Sequence, residues 1–210
     1  MTASTSSTAA EADRRTAHPR RWRVVDIVVG AVLAVAVGFV FMAWNVGYIG
    51  PSALLAPLLP GLQGLLNGPW MLAGPLVGLV VRKPGAALYG ELVAAVVSAL
   101  VGNQWGFTTV ISGLVQGIGA EIVFALVLYR VFRWWVAMLA GAVAAVGGAL
   151  YDLSFGFYAG STPAFAATYV ATSAASGAVL AGLLAWVLVR ALAMTGALER
   201  FGAGRERVAD

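Results

Sequence analysis

The thirteen Lys and Arg residues of this chain fall at its two ends and at two short breaks in an otherwise apolar sequence. They are Arg14, Arg15, Arg20, Arg21 and Arg23, then Arg82 and Lys83, then Arg130 and Arg133, then Arg190, Arg200, Arg205 and Arg207. An uncharged turn lies between each group and the next, so the chain leaves the basic side, turns and returns three times. Short membrane-flanking segments retain Lys and Arg on the cytoplasmic side. The pattern therefore predicts an all-α integral membrane bundle of six transmembrane helices with both termini inside.

Composition agrees: the apolar fraction is 60%, charged residues make up 10%, and the mean hydropathy is +0.88. A soluble core of this length needs far less apolar sequence. The net charge of +4 does not point to nucleic acid, because the basic residues flank apolar spans, where anionic headgroups of the lipid bilayer are their natural partners. The absence of cysteine removes disulfides, iron-sulfur clusters and thiol chemistry. No G-x-x-x-x-G-K-[ST] sequence is present and the sole lysine, Lys83, follows no such loop, so the chain lacks the usual means of hydrolysing ATP. The only histidine, His18, lies in the N-terminal segment, which leaves no Ser/His protease and no His-ligated metal site. A non-enzymatic membrane protein without cofactor or metal is expected.

Three regions follow: a disordered cytoplasmic tail over 1–21, a six-helix domain over 22–195, and a cytoplasmic C-terminal tail over 196–210. The tail over 1–21 is polar and aperiodic. Span one runs from Val24 to about Asn45. The uncharged stretch from Pro51 to Val81 is too short for two helices and a turn, which need roughly 40 residues. Two spans would also carry Arg82 and Lys83 to the outer side. Pro51 to about Leu66, interrupted by Pro57, Pro60, Gly61 and Gly64, is therefore read as a surface or re-entrant piece, and span two as Asn67 to Val81. Span three covers about Gly85 to Val101, span four Phe107 to Tyr129, span five Trp134 to about Phe157, and span six Ala164 to about Val189. An interfacial helix is expected through Leu198 and Phe201.

Carboxylates within spans are costly and mark functional positions. With a rise of about 1.5 Å per residue, Glu91 lies roughly 10 Å in from Lys83, Glu121 roughly 13 Å in from Arg130, and Asp152 roughly 28 Å from Arg133, near the outer mouth. Asp26 sits beside Arg23 at the inner boundary, where an ion pair or a helix N-terminal role accounts for it. Around the depth of Asp152 the outer half gathers Trp44, Asn45 and Tyr48, Asn67 and Trp70, Asn103, Gln104 and Trp105, Gln116, and Tyr151 and Tyr158. Aromatic faces, amides and a carboxylate suit a flat, nitrogen-rich, cationic ligand; an interfacial aromatic belt is the competing explanation for the rings. Glu91 and Glu121 are read either as pocket floor or proton site, or as hydrogen-bonding glue between helices. Gln116 and Glu121 are five positions apart, so only one of them can face a central ligand. Gly30, Ala34 and Gly38 form a small-residue strip on span one, suited to packing within the bundle or to docking another membrane subunit.

Several of these segments carry a family resemblance. Arg21-Trp22-Arg23-Val24-Val25-Asp26-Ile27, Ala43-Trp44-Asn45, Gly68-Pro69-Trp70, Gly90-Glu91-Leu92 and Gly119-Ala120-Glu121 resemble the YkoE family, substrate-binding S components of energy-coupling factor transporters, over about Arg21 to Arg190. The resemblance implies a six-helix protein of the bacterial cytoplasmic membrane that takes thiamine or its hydroxymethylpyrimidine precursor from outside. It further implies a transmembrane T component and cytoplasmic ATPase subunits as partners, with Gly30, Ala34 and Gly38 an approximate match to the Ala-x-x-x-Ala strip such proteins use for docking. Under it, Glu91, Glu121 or Asp152 would accept from the pyrimidine amino group or offset the thiazolium charge, between Trp and Tyr rings. Two other readings stay open: a self-sufficient proton- or ion-coupled carrier using Glu91 and Glu121, and a membrane assembly subunit without ligand.

Overall fold

The computed structural model describes residues 21–156 and 158–205. Residues 1–20 of the expected tail over 1–21, the end of span five at Phe157 and residues 206–210 lie outside the described residues. All regular structure among the described residues is helical: α1 Val24–Gly47, α2 Ile49–Leu55, 3-10 turns Leu62–Leu66 and Gly68–Met71, α3 Ala73–Val81, α4 Ala86–Val101, α5 Thr108–Leu126, α6 Trp134–Ser154 and α7 Pro163–Ser176. The last span continues through a π-helical segment, Gly177–Leu183, into α8, Leu184–Met194, and the short α9, Gly202–Arg205, follows. Four of these stretches, Val24–Gly47, Thr108–Leu126, Trp134–Ser154 and Pro163–Met194, are long and apolar enough to cross a bilayer, and Gly68–Val81 and Ala86–Val101 are shorter apolar helices. The six spans and the interrupted segment before span two match the reading from charge. The chain is a multi-pass membrane protein.

The segment between spans one and two has two parts. Residues 49–60 are mostly exposed, with α2 lying outside the bundle. At Gly61 the backbone adopts a left-handed φ of 94°, where a Cβ would meet Phe165 and Tyr169 backbone atoms at 2.8 Å. Only glycine fits both the angle and the contact. From there the chain descends through the two 3-10 turns, pressed against α7. Backbone groups left unpaired by such turns cannot face lipid. Side chains of α7 satisfy them: Thr172 Oγ1 donates to the Gly61 carbonyl (2.8 Å), Ser176 Oγ donates to the Leu65 carbonyl (2.6 Å), and the Gly68 amide donates to Ser176 Oγ (2.9 Å).

Small residues set the helix spacing. Where α6 crosses the last span, a Cβ on Gly141 or Gly177 would collide with the other residue's backbone, so the two helices touch main chain to main chain. Span one uses Gly30, Ala34 and Gly38 in the same way. Gly30 lies against Tyr89 and Val77, Ala34 is fully buried, and Gly38 lies against Val97. The strip expected to serve docking thus packs onto α4 and α3 inside the bundle, because small side chains are what let α1 approach them. The outward face of α1 is made of larger residues such as Val28, Val32 and Phe39.

The inner end is locked by charge. Asp26 is fully buried at the start of α1, accepts from the Arg23 amide (2.7 Å), and forms ion pairs with Arg23 Nη2 (2.8 Å) and Lys83 Nζ. Lys83 Nζ also donates to the Arg21 carbonyl (2.8 Å), and Trp22 Nε1 to the Pro84 carbonyl (2.9 Å). The expected interfacial helix through Leu198 and Phe201 is instead a set of turns ending in α9. Both side chains are buried in the hydrophobic core at this end of the bundle, because apolar burial there outweighs lying along the interface, and the Arg23 guanidinium sits over the Phe201 ring. Asp26→Asn should leave Lys83 buried without its counter-charge and lower stability by about 3–5 kcal/mol, read as a marked fall in melting temperature in detergent, with Lys83→Met in the same chain recovering part of the loss.

Candidate binding cavity

The ends of the six spans that carry no Lys or Arg surround a large cavity of about 670 Å³. Span one contributes Phe41, Asn45 and Tyr48; the descending segment Gln63, Asn67, Trp70 and Met71; span three Ala95; the outer turn and span four Gln104, Trp105, Thr108, Thr109, Ser112 and Gln116; span five Tyr151, Asp152 and Phe155; span six Tyr169. Tyr158 and Gly156, between spans five and six, and Ser52 of α2 complete the lining.

Eight of the twelve residues singled out as ligand-binding therefore face this cavity: Asn45, Asn67, Trp70, Trp105, Gln116, Tyr151, Asp152 and Tyr158. Trp44, Glu91, Asn103 and Glu121 stand outside the lining. Trp44 donates from Nε1 to the Leu66 carbonyl (2.9 Å) and braces the back of Trp70, with ring centroids 6.5 Å apart. Asn103 organises the outer turn: its Oδ1 accepts from the amides of Trp105 (2.9 Å) and Gly106 (2.8 Å) and from Thr109 Oγ1 (3.1 Å). Glu121 lies at the inner end, where it accepts from the amides of Gly85 (2.6 Å), Ala87 (2.9 Å) and Leu88 (3.3 Å) and from the Tyr129 hydroxyl (2.6 Å). It caps the start of α4 from a neighbouring helix, where a carboxylate meets the unpaired amides and the positive end of the helix dipole. Gln116 faces the cavity and Glu121 does not, as their five-residue separation requires.

Two aromatic groups wall the cavity. On one side Trp70 meets Tyr48 (centroids 5.0 Å) and Trp105 (5.4 Å) edge to face, and Tyr48 meets Trp105 at 5.7 Å. Asn45 fixes Trp70 by accepting from its Nε1 at 2.7 Å, while its own amide donates to Ser98 Oγ at 3.2 Å. On the other side Tyr158 packs against Tyr169 (4.9 Å) and Phe165 (5.0 Å). Between the groups sits Asp152, whose Oδ2 accepts from the Tyr169 hydroxyl at 2.8 Å. That hydroxyl in turn accepts from Asn67 Nδ2 (2.8 Å), which also donates to Ser173 Oγ (2.9 Å). Spans two, five and six are thereby joined through one polar chain.

Once these internal bonds are assigned, several acceptors remain open to the cavity. Among the described residues no donor reaches Asp152 Oδ1 or Gln116 Oε1, and the buried Oε1 of Gln63 has no partner. Asp152 is the one charged side chain in the lining. Tyr169 and Gln63 were not singled out from sequence. The available signal was the polar face Tyr169, Thr172, Ser173 and Ser176 on span six, whose spacing of three and four places it on one side of a helix.

The same chain matches the family model described as "ABC-type cobalt transport system, permease component" over residues 25–147. It is 33% identical over 193 residues to the YkoE protein of Bacillus subtilis (strain 168), whose name proposes it as an HMP/thiamine permease, covering 89% of this chain and 92% of that one. The chain belongs to the YkoE family. A solved structure titled "Crystal structure of an S-component of ECF transporter" superposes with a TM-score of 0.76 and 31% identity, covering 90% of this chain and 94% of that one. This YkoE-family chain is thus a membrane-embedded S component by fold and family, in a family of transport proteins rather than enzymes.

Ser176→Ala should leave both the Leu65 carbonyl and the Gly68 amide unpaired in the bundle interior. A loss of about 1–3 kcal/mol is expected, seen as a lower melting temperature and faster proteolysis within residues 61–72.

Proposed function

We propose that this S component captures thiamine or its hydroxymethylpyrimidine precursor from the outer side, for ATP-driven uptake by a T component and cytoplasmic ATPase subunits. The observation that carries the reading is a lone carboxylate, Asp152, facing an aromatic-walled cavity that has no basic side chain in its lining. Such a site favours a flat ring bearing amino or hydroxyl donors and a positive charge. The pyrimidine amino group would donate to Asp152 Oδ1 or Gln63 Oε1, and the Trp70, Tyr48 and Trp105 rings would enclose the ring system. The name of the Bacillus relative points to the same compounds.

The family model's description names cobalt. Among the described residues no three His, Cys, Asp or Glu side chains come together, and amide, phenol and single-carboxylate oxygens suit an organic ligand better than a transition metal. A proton relay through Glu91 and Glu121 has less support, since Glu121 is engaged by backbone amides at the inner end. With the Gly30, Ala34 and Gly38 strip turned inward, a T component would meet the larger side chains on the outward face of α1.

Purified protein without ATP should bind either compound with quenching of tryptophan fluorescence and a raised melting temperature. Asp152→Asn should weaken binding roughly tenfold to a hundredfold, the range for a hydrogen bond to a charged group, and Gln63→Leu less. If neither compound quenches or stabilises the wild-type protein, the vitamin assignment fails; uptake into vesicles holding this chain alone, driven by a pH gradient, would favour a carrier instead.

A further inference from the structure

Glu91 stands apart from the other acidic side chains among the described residues, because it is fully buried and no cation pairs with it. Its Oε2 accepts from the Gly74 amide at 2.6 Å, and its Oε1 has no hydrogen-bond partner. Gly74 lies at the start of α3, where span two passes from the 3-10 turn Gly68–Met71 into α-helix. Amides at a helix start have no partner within the helix, and inside a bilayer they need one from elsewhere. Glu91, reaching across from α4, is that partner.

Its position links the break to the cavity. Three residues before Gly74 is Met71, and before that Trp70 and Asn67, all in the cavity lining; one turn along α4 from Glu91 is Ala95, also in the lining. The bond from Gly74 to Glu91 therefore fixes the depth of one cavity wall relative to another. Gly74 and Gly117 leave the room for the carboxyl group, since a Cβ on Gly74 would lie 3.1 Å from Oε2 and a Cβ on Gly117 would lie 3.1 Å from the Glu91 Cβ.

No charge in the surroundings balances a carboxylate there. The facing α3 carries no titratable side chain from Ala73 to Val81, and α5 carries none from Thr108 to Ala120. Glu121, further along α5, is bound to the backbone of 85–88 and to Tyr129. On α1, Asp26 is paired with Arg23 and Lys83, and on α4 itself the Tyr89 hydroxyl donates to the Ile27 carbonyl. An unpaired buried charge is expelled or neutralised.

We propose that Glu91 is a neutral carboxylic acid that caps the broken start of span two from span three, and so acts as a positioning residue for the cavity above it. The positioning role rests on the reading of that cavity as the vitamin site; the neutral cap does not. Glu91→Gln keeps an acceptor for Gly74 without charge, whereas Glu91→Ala and Glu91→Met remove it.

The decisive comparison measures vitamin affinity, melting temperature and infrared absorption for the wild type and these variants. The expected result is a carbonyl-stretch band of a protonated carboxyl in the wild type that Glu91→Gln lacks. Affinity and its pH profile should be nearly unchanged in Glu91→Gln, and affinity about tenfold weaker in Glu91→Ala or Glu91→Met. Absence of that band, or Glu91→Gln as damaging as Glu91→Ala, overturns the neutral cap. Wild-type affinity in Glu91→Met overturns the positioning role. Should Glu91→Ala fail to fold, Glu91→Met and Glu91→Gln still decide. Should the wild type bind neither vitamin compound, the ligand reading falls while the infrared band and the melting temperatures still test the cap.

Discussion

The structure depends on one constraint imposed by lipid: every backbone polar group within the bilayer must find its partner inside the protein. Five of the six spans meet it as continuous helices, span six with a π-helical insert. The segment over 61–72 does not, and its unpaired groups dictate what surrounds it. Thr172 and Ser176 on span six take the carbonyls and the Gly68 amide, and Glu91 on span three takes the Gly74 amide. Thr172, Ser176 and Glu91 are polar positions in apolar spans whose bonds are set by this irregular segment. The interrupted segment supplies one wall of the cavity, through Gln63, Asn67, Trp70 and Met71.

The same economy of partners explains the chemistry of the cavity. Asn45 spends its oxygen on Trp70 and its amide on Ser98; Asn67 spends its amide on Tyr169 and Ser173. These amides hold aromatic rings and helices in place, and oxygens of Asp152, Gln116 and Gln63 remain open to the cavity. Oxygens left open in this way can be satisfied by a ligand that brings donors of its own.

Basic residues made the topology and the side of the cavity legible in sequence, because their positions report depth along each span. Depth alone placed Asp152 at the outer mouth and Glu121 toward the inner end. Rotation about the helix axis is a separate coordinate, and in a chain apolar on every face it leaves little periodic trace. For that reason Gly30, Ala34 and Gly38 were compatible with either an inner or an outer face, and Trp44 resembled its neighbour Trp70 although it backs the cavity wall rather than lining it. Tyr169 and Ser173 were legible in principle, as a polar stripe on span six, but their purpose is set by a segment more than a hundred residues earlier. Gln63 lay in a stretch whose Pro and Gly content predicts irregular backbone and nothing about where a side chain points.

The two ends of the bundle are built differently, and the difference bears on how a captured ligand would be released. At the inner end Asp26, Lys83 and Arg23 tie the start of span one to the turn after span two, Glu121 ties that turn to span four, and the C-terminal turns pack over them. At the outer end only Ser52 of the mostly exposed residues 49–60 reaches the cavity lining, and the neighbouring turn is organised by the side chain of Asn103. Few buried contacts and many exposed backbone groups mark the parts of a protein that open first. Under the proposed function, a ligand in this cavity would be separated from the cytoplasm by the ion-paired inner end. On the same reading, opening at the outer end would return the ligand to the outside, so passage inward would require reorientation of the whole domain or rearrangement of its inner end, and neither follows from ligand binding within the cavity by itself.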